Sequence, residues 1–271
     1  MTILALLLIY AGFIEPNWVQ VTRVEVPIAG LPEQFDGFRI VQLSDFHFSR
    51  AKVNLPSFFR RVAAMTNQLQ PDVVVVTGDL MSNPNGGKTQ APPFFSLLRS
   101  KHGAYVVWGN WDQGFPRTRA YLRERMGPSG VTFLENEAAP IEVGGARIWL
   151  LGVPYCIQPA GFTRFTLLDA ANKGYRGEPT ILLSHSASIW TEAAKERVAL
   201  VLSGHTHGGQ VWLPLVTRLV WTHPPNPPIY RGFADLKDTK IYINRGIGGS
   251  NVPFRFLSRP EITEIVLRRA G

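Results

Sequence analysis

His47, His185, His205 and His207, four of the six histidines in this 271-residue sequence, each fall just behind a short apolar run, as do Asp45, Asp79 and Asn110. Asp45 and His47 follow Phe38 to Ser44, and Gly78-Asp79 closes Val73 to Thr77. Gly109-Asn110 follows Ala104 to Trp108, His185 follows Thr180 to Ser184, and Gly204-His205-x-His207 follows Val198 to Ser203. A single aspartate or histidine after a strand is ordinarily a turn or capping residue. Five segments ending alike point instead to a cluster of metal ligands, because carboxylate, amide and imidazole are the donors that divalent cations take. Seven donors exceed the about four to six that one ion uses, so two ions are expected. Asp45 and Asp79 neutralise only part of their charge, which leaves a site attractive to phosphate. A pair of ions about 3.5–4 Å apart clamps both the attacking and the leaving oxygen of an in-line displacement and lowers the pKa of a bridging water toward ~7. The expected chemistry is attack of metal-held hydroxide on phosphorus, with Asn110 and His205 helping to stabilise charge on the transferring group. The mixed donor set suits Mn, Fe, Zn or Co better than Ca, which prefers all-oxygen shells; Mn is the ion expected foremost, with Mg a further candidate.

Each of these segments reads as a strand delivering its ligand at the C-terminal end, the edge where open α/β sheets bind ligands. Further strands are predicted at Val21 to Pro27, Arg147 to Leu151, Lys240 to Ile243 and Ile262 to Leu267, and helices at Pro56 to Leu69, Pro92 to Arg99, Pro116 to Met126 and Ala187 to Arg197. Alternation in the first half and strand-richness in the second predict an α/β layered sandwich with buried sheets under helices. Pro-rich Thr222 to Tyr230 reads as a surface loop. Nothing from residue 19 onward marks a second domain, so residues 19–271 are taken as one catalytic domain.

With 45% apolar and 18% charged residues, the chain can bury a sizeable core, which excludes general disorder. Cys156 is the single cysteine, which excludes an intrachain disulfide and a thiolate metal cluster. A formal charge of +8 favours anionic partners. A basic nucleic-acid-binding module is the alternative from another class, and the charge permits it. No concentrated Lys/Arg stripe interleaved with aromatics argues for it, so no nucleic-acid partner is expected and no protein partner is inferred. The apolar run Ile3 to Ile14 is shorter than the roughly 20 residues that span a bilayer as a helix. It is open to reading as a signal h-region, a partial insertion, part of a longer span, or a buried first helix. Trp18 and Arg23 follow where interfacial residues sit, which favours residues 1–18 as a membrane-anchoring segment. The basic body would then lie on the cytoplasmic side of an inner membrane.

The ordered motifs Asp45-x-His47, Gly78-Asp79, Gly109-Asn110, His185 and Gly204-His205-x-His207 resemble those of the calcineurin-like metallophosphoesterases from about Val21 to the C-terminus. The resemblance implies a four-layer αββα sandwich with two central mixed sheets. By it, Asp45, His47 and His207 hold one ion, Asp79 bridges, and Asn110, His185 and His205 hold the other. Ile14-Glu15-Pro16, Gly204 to Leu213, Asn244 to Gly248 and Arg259-Pro260-Glu261 are similar to a membrane-associated branch. That branch includes YkuE-like phosphoesterases and the chlamydial-type UDP-2,3-diacylglucosamine pyrophosphatases. Trp111 departs from the pattern: many relatives carry there a His thought to protonate the leaving oxygen, and Trp has no titratable proton. Trp111 either packs at the cleft mouth or marks a substrate whose leaving group needs no proton, such as a pyrophosphate; His102 or His223 could otherwise supply one. The preferred substrate is a lipid-linked pyrophosphate such as UDP-2,3-diacylglucosamine of the lipid A pathway, contacted by Arg50, Trp111 and Asn251. A broad phosphodiesterase or phosphomonoesterase is the alternative within enzymes. The aromatics Trp212, Trp221, Tyr230 and Phe233 are candidates to cover an acyl chain or base, and Phe254, Phe256 and Leu257 to touch a membrane.

Overall fold

The computed structural model describes residues 2–48, 55–155, 168–170, 172–222, 227–236, 239–249 and 254–270. Strand Val73–Thr77 shows how the layers arise. Its five residues are all buried, and alternate side chains point to opposite faces. Val73 and Val75 enter one apolar cluster, while Val74 and Val76 enter another. A strand buried on both faces belongs to a sheet covered on both sides.

Two six-stranded sheets result. Numbered in chain order, the first contains β1 (Gln20–Ile28), β2 (Arg39–Leu43), β3 (Val73–Thr77), β4 (Ala104–Val107), β5 (Val131–Phe133) and β12 (Glu261–Arg269). Its order is β1-β12-β2-β3-β4-β5, parallel except where β12 runs against β2. The second contains β6 (Glu137–Val143), β7 (Ala146–Val153), β8 (Thr180–Ser184), β9 (Leu200–Ser203), β10 (Gly232–Leu236) and β11 (Thr239–Ile243). Its order is β10-β11-β9-β8-β7-β6, with the outer strands β10 and β6 antiparallel to their neighbours. The sheets face each other through Ile40, Val75, Leu150, Leu183, Leu202 and Ile265. The far face of the first sheet packs on α2 (Leu55–Gln68), α3 (Pro84–Phe95) and α5 (Pro116–Met126) through Phe59, Phe94 and Leu122, with the short α4 (Asn110–Gln113) between β4 and α5 in the chain. That of the second packs on α6 (Trp190–Lys195) through Ala193. This is the expected αββα sandwich.

Two helices differ from the sequence reading. The helix expected over Pro92 to Arg99 runs instead as α3 from Pro84 to Phe95, because Asn83 caps it by accepting the Gly86 amide at 3.0 Å. Pro92 and Pro93 fall inside it, near its end. The helix expected over Ala187 to Arg197 divides into a 3-10 turn, Ala187–Ile189, and α6.

At the chain start, α1 (Thr2–Ile9) continues through a π turn, Tyr10–Ile14, and a 3-10 turn, Glu15–Asn17, into β1. Gln20 pairs with Glu261, and β12 runs antiparallel to β2, with Thr263 opposite Gln42. The start of β1 therefore lies at the same sheet edge as the end of β2. Topology thus puts the apolar N-terminal segment at the edge where the ligand candidates emerge. Among the described residues no helix is long and apolar enough to cross a membrane.

Candidate metal centre

The turns after β2, β3, β4, β8 and β9 meet at one place. Asp45, His47, Asp79, His205 and His207 take positive φ, between 47° and 71°. Asp, Asn and His tolerate this region better than most residues, and it turns each side chain back over the strand ends. Two glycines permit the close approach. A Cβ on Gly109 would lie 2.1 Å from Asp79 Oδ1, and one on Gly204 would lie 2.4 Å from Asp45 Oδ2.

The side-chain donors form a continuous cluster. His47 Nε2 and His207 Nε2 face each other at 3.2 Å, and His207 Nε2 is 3.4 Å from Asp45 Oδ1. Asp79 Oδ2 stands between two histidines, 3.5 Å from His47 Nε2 and 3.3 Å from His185 Nε2. His185 Nε2 is 3.0 Å from Asn110 Oδ1 and 3.1 Å from His205 Nδ1. All seven sequence candidates are thus brought together, with Asp79 in the middle. Asp45, His47 and His207 make one group able to hold an ion, and Asp45, Asp79 and His185 a second, so Asp45 reaches toward both.

The chemistry of the cluster fits metal ions. Donors about 2.0–2.1 Å from a shared ion lie about 2.9–3.4 Å from one another, close to the spacings seen. Asp45 Oδ1 and His207 Nδ1 are buried without a hydrogen-bond partner among the described residues, a cost that an unliganded core rarely carries. The remaining atoms are held in place. The His185 Nδ1–H donates to Thr77 O at 2.7 Å, which aims Nε2 into the cluster. Asp45 Oδ2 accepts the His205 amide at 3.1 Å, and Asp79 Oδ1 accepts the Trp111 amide at 3.0 Å.

Electrostatics follow from burial and from these pairings. Burial pushes the Asp45 carboxyl up to about 6 against the opposing pull of His185. Burial also opposes ionisation of Asp79, but His185 and His47 outweigh it and hold Asp79 below its ordinary value. His185 resists charging by burial, yet Asp79 and Asp45 push it up to about 9. Burial, reinforced by His185, pushes His205 down to about 4. Burial and then His47 hold His207 well below its ordinary value.

Trp111 borders the cluster, its ring edge-on to His47 with centroids 5.7 Å apart. His102 does not reach the site. It precedes β4, at the opposite sheet edge, and its ring packs 5.8 Å from Phe38, so it is excluded as a proton source there. Arg50, Asn251 and His223 lie outside the described residues. Trp212 and Tyr230 sit beside the His205–His207 turn: Trp212 Nε1 donates to Tyr230 Oη at 2.6 Å, and Thr206 Oγ1 donates to Tyr230 O at 2.7 Å.

Sequence reasoning missed two side chains. Asp112 is fully buried and accepts the amides of Gly109 (2.9 Å), Met81 (3.1 Å) and Leu80 (3.2 Å), locking the Asp79 turn to the Asn110 turn. Burial, with Asp79 adding to it, pushes its carboxyl up to about 7 against those three amides. Its spacing two residues beyond Asn110 was the available signal. Tyr155 packs its ring 5.8 Å from His185 and 5.4 Å from His205. It follows β7, whose end carries no acidic or histidine residue to draw notice.

Residues 38–209 match the model of the calcineurin-like phosphoesterase family. The chain belongs to that family. It is a metal-dependent phosphoester hydrolase, and the converging donors are its candidate binuclear centre. This phosphoesterase is 31% identical to the uncharacterised metallophosphoesterase YkuE of Bacillus subtilis, across 96% of its own length and 89% of YkuE. It is 31% identical to a transmembrane protein with a metallophosphoesterase domain of Danio rerio, across 99% of its length but 62% of that protein. To the UDP-2,3-diacylglucosamine pyrophosphatase LpxG of Chlamydia trachomatis it is 25% identical, across 94% of its length and 91% of LpxG.

Proposed function

We propose that this phosphoesterase hydrolyses a lipid-linked pyrophosphate at a membrane surface, using two divalent ions, manganese foremost. In this reading Asp45, His47 and His207 hold one ion, Asn110, His185 and His205 hold the other, and Asp79 bridges. The observation that carries it is that Asp79 Oδ2 lies within 3.5 Å of both His47 Nε2 and His185 Nε2, one imidazole from each proposed ion's set. Bound there, the ions supply Lewis acidity toward phosphoryl oxygens and an acidified water as nucleophile. Asn110 Oδ1 and His205 Nδ1 adjoin His185 Nε2 at 3.0 and 3.1 Å, which supports a role for both in stabilising charge on the transferring group. His205, pushed down to about 4 by burial, stays neutral at pH 7 and serves as donor rather than acid.

Trp111 occupies the position where many relatives place an acid, and its indole offers no proton to a departing alkoxide. A phosphate released from a pyrophosphate departs without that help, so the substitution favours a pyrophosphate such as UDP-2,3-diacylglucosamine, cleaved to lipid monophosphate and UMP. The likeness to LpxG across most of both chains supports the same class. Residues 1–18 are the membrane-anchoring segment and 19–271 the catalytic domain, which lies on the cytoplasmic side. Arg50 and Asn251 are the proposed substrate contacts along with Trp111. The test is hydrolysis by the manganese-loaded protein of the diacylglucosamine diphosphate compared with a chromogenic diester. A strong preference for the lipid diphosphate is expected; equal turnover of both identifies a broad phosphodiesterase instead.

A further inference from the structure

Helix α7 (Pro214–Trp221) turns aliphatic side chains toward solvent. It docks through Thr217, while Arg218 is exposed. Thr217 is buried, its Oγ1 accepts the Leu213 amide at 2.8 Å, and its methyl fills the space over Gly209, where a Cβ would come within 2.2 Å. Three of its aliphatic side chains point outward: Leu219 is 76% exposed, Val220 63% and Val216 58%. A helix paired with its own protein in this way leaves apolar surface that water disfavours.

That surface is continuous with the N-terminal segment. Phe256 accepts the Trp212 amide at 2.8 Å and donates its own to Gln210 O at 2.9 Å, joining the strip before α7 to residues 254–258. On the other side Arg255 donates its amide to Ala11 O at 2.9 Å, and the Phe254 ring lies against Gly12. Phe254 and Leu257 are themselves exposed, and every described residue of α1 is exposed. At the rim, Arg259 lies 3.5 Å over the Trp18 ring and Arg231 4.5 Å over the Trp212 ring. Indole with guanidinium at the border of an aliphatic face is the pairing suited to a water–headgroup boundary. Glu15 in this strip is buried and accepts the amides of Leu257 and Ser258, so among the described residues of the strip no carboxylate faces outward to repel an anionic surface.

We propose that α7, with Leu213, Phe254 and Leu257, is a second membrane-docking element that lies in the bilayer interface beside the N-terminal segment. It builds on the membrane placement proposed above and adds an orientation. Ser258 Oγ donates to the carbonyl of His207 at 2.8 Å, so the docking strip is bonded directly to a turn of the metal centre. With two contacts on one edge of the sandwich, the mouth of the centre is held toward the lipid. A phosphate at headgroup depth then reaches the centre without its acyl chains leaving the bilayer.

The test uses a site-specific environmental fluorophore on the full chain. Cys156 is the single cysteine, so Cys156→Ser combined with Leu219→Cys gives one labelling position on α7. Cys156→Ser with Lys101→Cys gives one at the opposite sheet edge. Vesicles of phosphatidylcholine mixed with phosphatidylglycerol are expected to blue-shift and brighten the label at 219 and to leave that at 101 unchanged. The triple variant Val216→Ser, Leu219→Ser, Val220→Ser is expected to weaken vesicle partition by about tenfold or more. Manganese-dependent turnover of a soluble chromogenic diester should stay at the parental level, which also shows that the variant is folded. A silent label at 219 together with unchanged partition of the triple variant overturns the proposal. So does concentration-dependent dimerisation in the absence of lipid that the triple variant abolishes, since α7 would then pack on a second copy. Loss of diester turnover in the parent protein would instead count against the metal-centre reading and leave the docking result to stand or fall by the label.

Discussion

Gly109→Ala adds one methyl group at the tightest point of the metal centre. The new Cβ would lie 2.1 Å from Asp79 Oδ1, 2.3 Å from Asp79 N and 2.7 Å from Asp79 Cγ, inside the 3.0 Å that real Cβ contacts respect. The backbone nitrogen belongs to the turn that leaves β3, and Oδ1 is tied to the Trp111 amide, so neither yields by a side-chain rotation. The Asp79 carboxylate or the turn carrying Asn110 must move by about 1 Å, and a displacement of that size at a reacting centre costs about 10²-fold in rate. Metal sites tolerate only about 0.2 Å in ligand distances, so the second ion should be lost or weakly held. The assay is metal content by mass spectrometry after gel filtration, with manganese-supported hydrolysis of a chromogenic diester. Gly127→Ala is the matched control: its φ is −52° and its Cβ would meet nothing within 4 Å. The control should keep parental activity and gain about 0.4–1 kcal/mol in stability from a stiffer unfolded chain. A Gly109→Ala protein that holds two ions and turns over like the parent would refute the close packing of the β3 and β4 turns on which the centre is built.

Asp112→Asn should destabilise the metal-free protein by roughly 2–3 kcal/mol, because an amide cannot accept from three backbone N–H groups with both of its heteroatoms; urea unfolding checks this, and manganese affinity should fall in parallel. Metal binding at pH 7 should release protons, because His185 is pushed up to about 9 in the metal-free protein and must lose its proton to offer Nε2. Affinity should therefore rise with pH through the neutral range, and calorimetric titration in buffers of different ionisation enthalpy reads the proton count; a pH-independent affinity with no proton release contradicts it. Trp111→His should raise turnover of alkyl and aryl monoesters selectively by restoring a titratable group against His47, within the roughly 10²–10⁴-fold that general acids supply; an equal change on every substrate tells against the leaving-group argument.

The ligand set was legible because carboxylates and imidazoles are rare within hydrophobic strand patterns, so their recurrence right after Leu43, Thr77, Val107, Ser184 and Ser203 stands out. The layers were legible for a related reason: Val73 to Val76 are four consecutive apolar residues and so must be covered on both faces. Local conformation was less so. Nothing in the residues around Asp45 or His207 announces positive φ, which follows from the meeting of turns distant in sequence. His102 was indistinguishable by type from the site histidines, and only the direction of β4 shows it at the wrong edge. Asp112 was hidden because its partners are backbone amides from a separate turn, which no side-chain pattern records. The orientation of α7 was hidden too: its sequence has an amphipathic pattern, but the contact of Thr217 with Gly209 decides which side faces out.

The two carboxylates of the centre show why its ligands act as a unit. Asp45 spends Oδ2 on the His205 amide and Asp79 spends Oδ1 on the Trp111 amide, so each fixes the turn that carries ligands from another strand. The second oxygen of each, Asp45 Oδ1 and Asp79 Oδ2, faces the imidazoles of the cluster. A carboxylate is the only side chain that can accept on both sides at once. An asparagine at either position must choose between holding the neighbouring turn and facing the cluster, and its amide group presents hydrogens to whichever side it does not serve. Asp45→Asn therefore perturbs His205 as well as His207, and its effect should overlap heavily with that of His205→Ala. A double-mutant cycle on manganese affinity should show coupling well beyond the about 0.3–0.5 kcal/mol within which independent sites add. Strict additivity would mean that the turn after β9 keeps its place without Asp45, and that the cross-bracing seen between the strand ends is incidental to metal binding.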